Sequence, residues 1–145
     1  MFTTARKLVA LSRSELLLLG TTTVLLLTSR ALLTLVGLDR THRALDRLVR
    51  VLPPYTTVRD PDTIPWAVAV MGAYVPIYFS CLMRAVVGER LFAANGHQTE
   101  IHFGVAKDDE FEAHAWVERR GEIVIGELEE GEHARFQPLY SYRPR

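Results

Sequence analysis

The fold is decided by the stretch that runs from Phe-Ser-Cys-Leu-Met-Arg at 79–84 to Phe-Glu-Ala-His-Ala-Trp-Val-Glu at 111–118. Ser80 is a good helix N-cap, so the single cysteine, Cys81, is predicted in the first turn of a helix. His114 follows 33 positions later, where apolar and polar residues alternate as in a strand. Because the N–H groups of a helix N-terminus favour a thiolate, this arrangement predicts a nucleophilic cysteine beside a histidine.

Beyond this helix the hydrophobic pattern changes to a period of two. Apolar and polar residues alternate over 101–105 and again over 111–118, and a fully apolar segment covers 123–125. Turn residues separate these segments at 107–109 and 119–121. Three antiparallel strands are therefore predicted.

Before Cys81 the pattern is helical. A long apolar helix is predicted up to about Gly37, followed by an amphipathic helix and a third helix of about three turns. Four helices followed by three antiparallel strands predict an α+β domain. The remaining signals that bound these helices are Ser12 and Glu15 in a capping-box spacing, Pro53-Pro54, Asp62 or Thr63 as a cap, Pro76, and Asn95-Gly96.

Composition excludes several classes of function. A chain of 145 residues with 17 basic and 17 acidic side chains is about one domain, and nucleic acid is not an expected partner. One cysteine allows no internal disulfide and suits a reducing compartment, so a cytoplasmic location is expected. Neither a metal-ligand spacing nor a glycine-rich phosphate loop is found, so no metal and no other cofactor is expected.

The uncharged segment 16–29 raises the question of a membrane. Its 14 residues are fewer than the roughly 20 that a span needs, and they suit a buried core helix better. Contact with a membrane surface through residues 14–38 is left open as the second interpretation, and a true span is the third.

Three motifs resemble the leader peptidases of lasso-peptide biosynthesis: Cys-Leu-Met-Arg-Ala at 81–85, Ile-His-Phe-Gly-Val at 101–105 and the segment 111–118. These are transglutaminase-like (papain-type) cysteine proteases, related to the C-terminal half of the microcin-processing maturation protein. The resemblance covers roughly residues 60–140 and implies a protease core at 61–145. The helical pattern predicts an N-terminal helical region at 1–60, and the two regions are expected to form one compact unit. The resemblance also implies a thiol protease that removes the leader from a ribosomally made precursor through an acyl-enzyme on Cys81.

For the candidate site, Cys81 and His114 are the expected nucleophile and base. The alternatives are a small apolar core cysteine and a histidine on a polar strand face. Many relatives carry an aspartate near position 127, so Glu127 is the candidate that orients His114, with Glu129 second. These glutamates can instead belong to a solvated acidic run, in which case a backbone carbonyl or water orients the imidazole.

Two aromatic residues are candidates for the substrate site. Trp116 shares a predicted strand face with His114 and could shield the ion pair from water; sheet packing is the alternative. Tyr78 and Tyr74 are candidates to assist the Cys81 backbone N–H in an oxyanion hole, with core packing as the alternative.

The resemblance also implies partners. They are the precursor peptide, a winged-helix protein that recognises the leader, and an ATP-dependent cyclase that closes the lasso ring. A separate recognition protein is expected because residues 1–60 have a helical pattern rather than that of a strand-rich module. A different class of function is also open, a non-catalytic scaffold that binds the precursor or a membrane, and the missing aspartate favours it.

Overall fold

The computed structural model of the protein describes residues 13–51, 60–77, 79–107, 111–126 and 136–142. Over these residues the chain forms four helices followed by four strands, so the prediction of an α+β fold with a small antiparallel sheet is confirmed. The elements are α1 Arg13–Leu35, α2 Leu38–Val51, α3 Thr63–Tyr74, α4 Cys81–Ala94, β1 Glu100–Lys107, β2 Phe111–Arg119, β3 Glu122–Ile125 and β4 Gln137–Tyr142.

Local sequence signals set the ends of α4 and the end of α3. Ser80 Oγ accepts a hydrogen bond of 3.3 Å from the N–H of Met83, which is the predicted cap of α4. Gly96, with φ +78°, follows the other end of α4 in the left-handed conformation that was predicted there. The helix α3 ends where Val75, which precedes Pro76, is extended. The signals flanking Cys81 therefore place it at the first position of α4.

The start of α3 differs from the prediction in one detail. Asp62 occupies the N-cap position, but its side chain makes no capping hydrogen bond. Instead, the Asp60 carboxylate accepts a hydrogen bond of 3.0 Å from the Asp62 N–H. A turn closed by Asp60 thus leads into the helix. Two other predicted helix signals, Ser12 and Pro53-Pro54, lie outside the described residues.

The sheet has the order β3-β2-β1-β4, and neighbouring strands are antiparallel. The three predicted strands are present, and β4 is an additional edge strand. Pro138 lies within β4, opposite Gly104 and next to a shift of register. Proline has no N–H to donate to a neighbouring strand, and an edge strand tolerates this. The fourth strand pairs with the edge of β1 that is not paired with β2.

The helix α4 is the centre of the molecule. All residues from Ala85 to Phe92 are buried, which leaves no solvent-facing side along that stretch. The helix packs on α1, α2 and α3 and also on β1, β2 and β3. It therefore joins the helical layer to the sheet.

A buried ionic network fixes the C-terminal half of α4 to α2. Arg90 donates to both carboxylate oxygens of Glu89, at 2.7 and 2.6 Å. His42 Nε2 lies 2.8 Å from Glu89, and Arg90 also donates to Asp46 at 2.9 Å. Burial would raise the pKa of Glu89, but the hydrogen bonds from Arg90 and His42 outweigh it and hold that pKa below 4.5. The carboxylate is thus kept ionised inside the protein.

Candidate active site

Cys81 is the first residue of α4, and its side chain is partly buried against β2. The N–H of Ala115 donates a hydrogen bond to Sγ at a distance of 3.4 Å. The imidazole of His114 is hydrogen-bonded to the same sulfur. The cap, the helix and the strand together bring the two predicted site residues into contact.

His114 is held from both of its ring nitrogens. Nε2 donates to the carbonyl oxygen of Gly126, 2.7 Å away, which leaves Nδ1 for the sulfur of Cys81. The ring stacks on Trp116, with centroids 5.7 Å apart and planes 20° from parallel. Phe136 contacts the ring at a centroid distance of 5.4 Å. The imidazole therefore has a fixed tautomer and a fixed plane.

The hydrogen bond between the two side chains shifts both pKa values toward an ion pair. That bond lowers the pKa of Cys81 below 9.0, and backbone N–H groups of Ala115 and Leu82 add to the effect while burial opposes it. The same bond raises the pKa of His114 above 6.5, with the Gly126 carbonyl contributing in the same direction against burial. The arrangement favours a thiolate beside an imidazolium, which is the reactive form of a cysteine nucleophile.

Gly126 supplies the third contact of the site. Its φ is +84°, and a Cβ at this position would lie 2.9 Å from the carbonyl oxygen of Ala115. Glycine therefore allows the chain to turn back at the end of β3 and to present its carbonyl to His114. The sequence left open whether a glutamate, or else a backbone carbonyl or water, orients His114; the structure shows a main-chain carbonyl on Nε2. Glu127 and Glu129 lie outside the described residues, so their role stays a prediction.

A close contact between α4 and β3 supports this turn. Gly88 lies directly against Ile125, and a Cβ on Gly88 would collide with Ile125 Cδ1. Because Ile125 immediately precedes Gly126, this contact fixes the place from which the carbonyl reaches His114. The helix that carries the cysteine thus also positions the acceptor for the histidine.

Trp116 stacks between two histidines, and this feature was not predicted from the sequence. Its second partner is His102, whose ring centroid lies 5.7 Å away with a plane 12° from parallel. The indole N–H donates to Glu118 at 3.0 Å, and His102 Nε2 lies 3.2 Å from the same carboxylate. The strand pattern could have predicted this cluster, since Glu118 lies two residues after Trp116 on the same face of β2 and His102 lies opposite Trp116 on β1. The stack fixes the indole that covers His114.

Two further predictions concern substrate binding. Tyr78 lies outside the described residues, and Tyr74 is half exposed at the end of α3. The N–H of Cys81 belongs to the first turn of α4, where backbone N–H groups have no helical acceptor, so it is the natural donor to an oxyanion.

A separate open cleft of about 1040 Å³ lies at the other end of α4. It is lined there by Ala93, His97, Thr99 and Arg119. The 14 residues of α4 separate it from Cys81, a distance of about 20 Å along the helix axis. The reactive pair, rather than the size of a cleft, identifies the candidate site.

The chain matches a known family over most of its length. Residues 23–141 match the family model of the transglutaminase-like superfamily. The protein therefore belongs to the transglutaminase-like superfamily, and the matched region includes both Cys81 and His114. No curated protein and no solved structure matched the chain.

Proposed function

We propose that the protein is a cysteine peptidase that removes the leader peptide from a lasso-peptide precursor. One observation carries the chemical part of the proposal: Cys81 Sγ is hydrogen-bonded to His114, whose other nitrogen is held by the Gly126 carbonyl. A cysteine, a base and a group that orients the base are what peptide-bond cleavage by a thiol requires.

In the first half of the reaction, the Cys81 thiolate attacks the carbonyl carbon of the scissile peptide bond. The negative charge moves to the carbonyl oxygen, where the Cys81 backbone N–H donates to it. The His114 imidazolium then gives its proton to the departing nitrogen as the C–N bond breaks. The core peptide leaves as an amine, and the leader remains as a thioester on Cys81.

In the second half, neutral His114 takes a proton from water while the water oxygen attacks the thioester carbon. The C–S bond breaks, the leader leaves with a free carboxylate, and the proton on His114 restores the ion pair. Trp116 and Phe136 pack against the imidazole and hold the ring in position for this step.

The substrate class rests on the resemblance of 81–85, 101–105 and 111–118 to the lasso leader peptidases. The same resemblance supports a winged-helix element that recognises the leader, either fused or separate, and an ATP-dependent cyclase that acts after cleavage. Over the described residues 13–51 the chain is helical, which favours leader binding on another protein. We expect the recognition protein to raise the cleavage rate by holding the precursor near the thiolate.

The test is cleavage of the precursor with the recognition protein present, followed by mass spectrometry. Cys81→Ala should yield no cleaved product, whereas His97→Ala, which changes a histidine at the other end of α4, should cleave like the unmodified protein. The products should be a leader with a free carboxylate and a core with a free amine. Undiminished cleavage by Cys81→Ala would refute the peptidase assignment.

A non-catalytic scaffold in the same pathway is the second candidate. It is favoured by one observation: the group seen on His114 Nε2 is a neutral carbonyl rather than a carboxylate. A scaffold would bind the precursor equally well with Cys81→Ala and would support maturation in cells that carry this variant. Loss of maturation together with normal precursor binding would exclude it.

A further inference from the structure

From Leu16 to Leu35, the helix α1 has an exposed apolar face. Its outward residues fall within about 100° of the helical wheel, since successive residues are about 100° apart. Leu27 is 40 % exposed, Val24 48 % and Leu35 77 %. From first to last the face extends about 28 Å along the helix axis. We call it the apolar stripe, and its residues are Leu16, Leu17, Val24, Leu27, Ala31 and Leu35.

The adjoining helix α2 presents a basic face to solvent. Its four arginines fall within about 80° of the wheel, and all are exposed. The helices α1 and α2 pack on each other and both pack on α4, so they form one layer, and the two exposed faces lie on neighbouring helices of it. We call this second surface the arginine face, and its residues are Arg40, Arg43, Arg47 and Arg50.

The hydroxyl groups of α1 are satisfied without water. Thr28 Oγ1 and Thr34 Oγ1, both exposed, donate to carbonyl oxygens of the preceding turn at 2.8 and 2.9 Å. The more buried hydroxyls of Thr21, Thr22 and Thr23 do the same. Such internal hydrogen bonds allow a threonine to enter an apolar surrounding at low cost. The side of α1 that carries the stripe is thus suited to a medium that offers no hydrogen bonds.

We propose that the layer formed by α1 and α2 binds the surface of an anionic lipid bilayer. The apolar stripe enters the boundary between headgroups and acyl chains, and the arginine face contacts the lipid phosphates. An apolar helical face flanked by arginines is the combination that interfacial helices use.

The chemistry of the stripe favours lipid over a protein partner. In protein interfaces the apolar part of the binding energy is concentrated on aromatic side chains that fill pockets. The helix α1 contains no aromatic residue, and its exposed apolar side chains are leucine, valine and alanine. A long aliphatic surface of this kind matches acyl chains.

The distribution of charge orients the protein on such a surface. Residues 1–51 contain eight basic and three acidic side chains, whereas residues 100–132 contain three basic and eleven acidic ones. An anionic bilayer attracts the first region and repels the second. The strand β2, whose Ala115 N–H donates to Cys81, belongs to this acidic part of the sequence, so the candidate site adjoins the region that the bilayer repels.

The helix lies on the bilayer and does not cross it. By length and composition α1 is the one helix among the described residues that could span a membrane. However, Leu18, Leu25 and Leu26 are fully buried against the rest of the protein. A span would remove these side chains from the core, whereas binding at the surface leaves them in place.

The test is co-sedimentation of the full chain with vesicles of phosphatidylcholine, alone or mixed with phosphatidylglycerol. We expect binding to the mixed vesicles that weakens as salt rises, and at least tenfold weaker binding to phosphatidylcholine alone. Replacing Arg43 and Arg47 by Gln should lower binding roughly 25-fold, because each arginine near an anionic surface contributes a factor of roughly five. Replacing Leu17 and Leu27 by Ser should lower it by at least roughly tenfold.

Matched controls use exposed residues of the sheet. Phe111→Ser removes an apolar side chain that is 66 % exposed, and Arg120→Gln removes an exposed arginine at the turn after β2. Both variants should bind vesicles like the unmodified protein. Circular dichroism of every variant should show an unchanged helical content.

Three results would overturn the proposal. One is equal vesicle binding by the Leu17/Leu27 variant and the unmodified protein. Another is a dimer, seen by analytical ultracentrifugation, that this variant dissociates, because a second copy would then cover the stripe. The last is loss of iodoacetamide labelling of Cys81 on vesicles, because the lipid would then cover the sheet side.

Discussion

The two ends of α4 each carry a hydrogen-bonded pair of titratable side chains, and the two pairs have different surroundings. At the C-terminal end, Glu89 and Arg90 are buried, and each has a further partner on α2. At the N-terminal end, Cys81 and His114 are only partly buried, and the sulfur accepts a weak hydrogen bond from the Ala115 N–H at 3.4 Å. A buried ion pair whose charged groups all have partners does not transfer protons. A cysteine and a histidine that share a proton can transfer it to a substrate. One helix thus carries a buried ionic network near one end and the candidate reactive pair at the other.

The largest expected effect is at the reactive end. His114→Ala should slow precursor cleavage at least about a thousandfold, because the base and the partner of the thiolate are lost together. His42→Ala, at the other end, should lower the free energy of unfolding but leave the folded protein active. Single-turnover cleavage and thermal denaturation of both variants measure the contrast. Equal cleavage deficits would show that the two ends do not have separate roles.

The pH dependence of alkylation tests the same pair. Because the bond to His114 lowers the pKa of Cys81 from 9.0, iodoacetamide should react at neutral pH, and the rate should fall only as pH drops through the lowered value. In His114→Ala the main cause is absent, so the profile should move up toward that of an ordinary thiol. A profile of the unmodified protein centred at the ordinary thiol value would contradict the ion pair.

At the inert end we expect Glu89→Ala to lower the free energy of unfolding by up to about 3–5 kcal/mol, because Arg90 and His42 would lose their shared buried partner and Arg90 would keep only Asp46. Arg50→Ala, which removes an exposed partner of Asp46, should change it by less than about 1 kcal/mol. Urea denaturation measures both.

The same carboxylate predicts how stability changes with acid. The pKa of Glu89 is lowered on folding, so its contribution is present above the ordinary value of 4.5 and is lost as pH falls through the lowered value. Glu89→Gln should weaken this acid dependence. An identical acid midpoint for Glu89→Gln and the unmodified protein would contradict the assignment.

A pair of glycine substitutions tests the contact between α4 and β3. Gly88→Ala should cost about 1–3 kcal/mol, because the new methyl group collides with Ile125. Gly20→Ala, in α1, meets nothing within 4 Å and should instead stabilise the protein by up to about 1 kcal/mol. Thermal melts of both variants give the comparison, and equal changes would place the tight contact elsewhere.

The smallest expected effect concerns the acid that the sequence suggested. With the Gly126 carbonyl already on Nε2 of His114, Glu127→Gln should slow cleavage by at most about tenfold, and Glu129→Gln should be near neutral. Single-turnover rates with the recognition protein saturating decide the matter. A loss of roughly a hundredfold or more in Glu127→Gln would assign the orienting role to that carboxylate.

Short-range signals explain why so much of the fold could be predicted. Ser80 as a cap, Asn95-Gly96 as a stop and the alternating residues of 101–105 act within a few positions, and the structure follows each of them. The contact between Cys81 and His114 could be predicted because the motifs around both residues resemble those of one family of cysteine proteases.

Contacts made by the main chain or over long distances could not be predicted in the same way. The acceptor on Nε2 is the carbonyl of Gly126, and a carbonyl is common to every residue. Glu89 pairs with His42 across 47 positions. It also pairs with its neighbour Arg90, although adjacent helical residues do not usually face each other. The fourth strand contains Pro138, which argues against a strand when only local pattern is considered.

The use of a main-chain carbonyl at Gly126 also affects how the site can change in evolution. A carboxylate that orients a histidine can be lost by a single substitution of its side chain, whereas no substitution removes a carbonyl group. Replacing Gly126 disturbs the site only through the strained φ and the contact with Ala115. The orienting group is therefore vulnerable mainly to insertions and deletions that move the end of β3. For this contact, the number of residues that separate His114 from Gly126 therefore matters more than the identity of those residues.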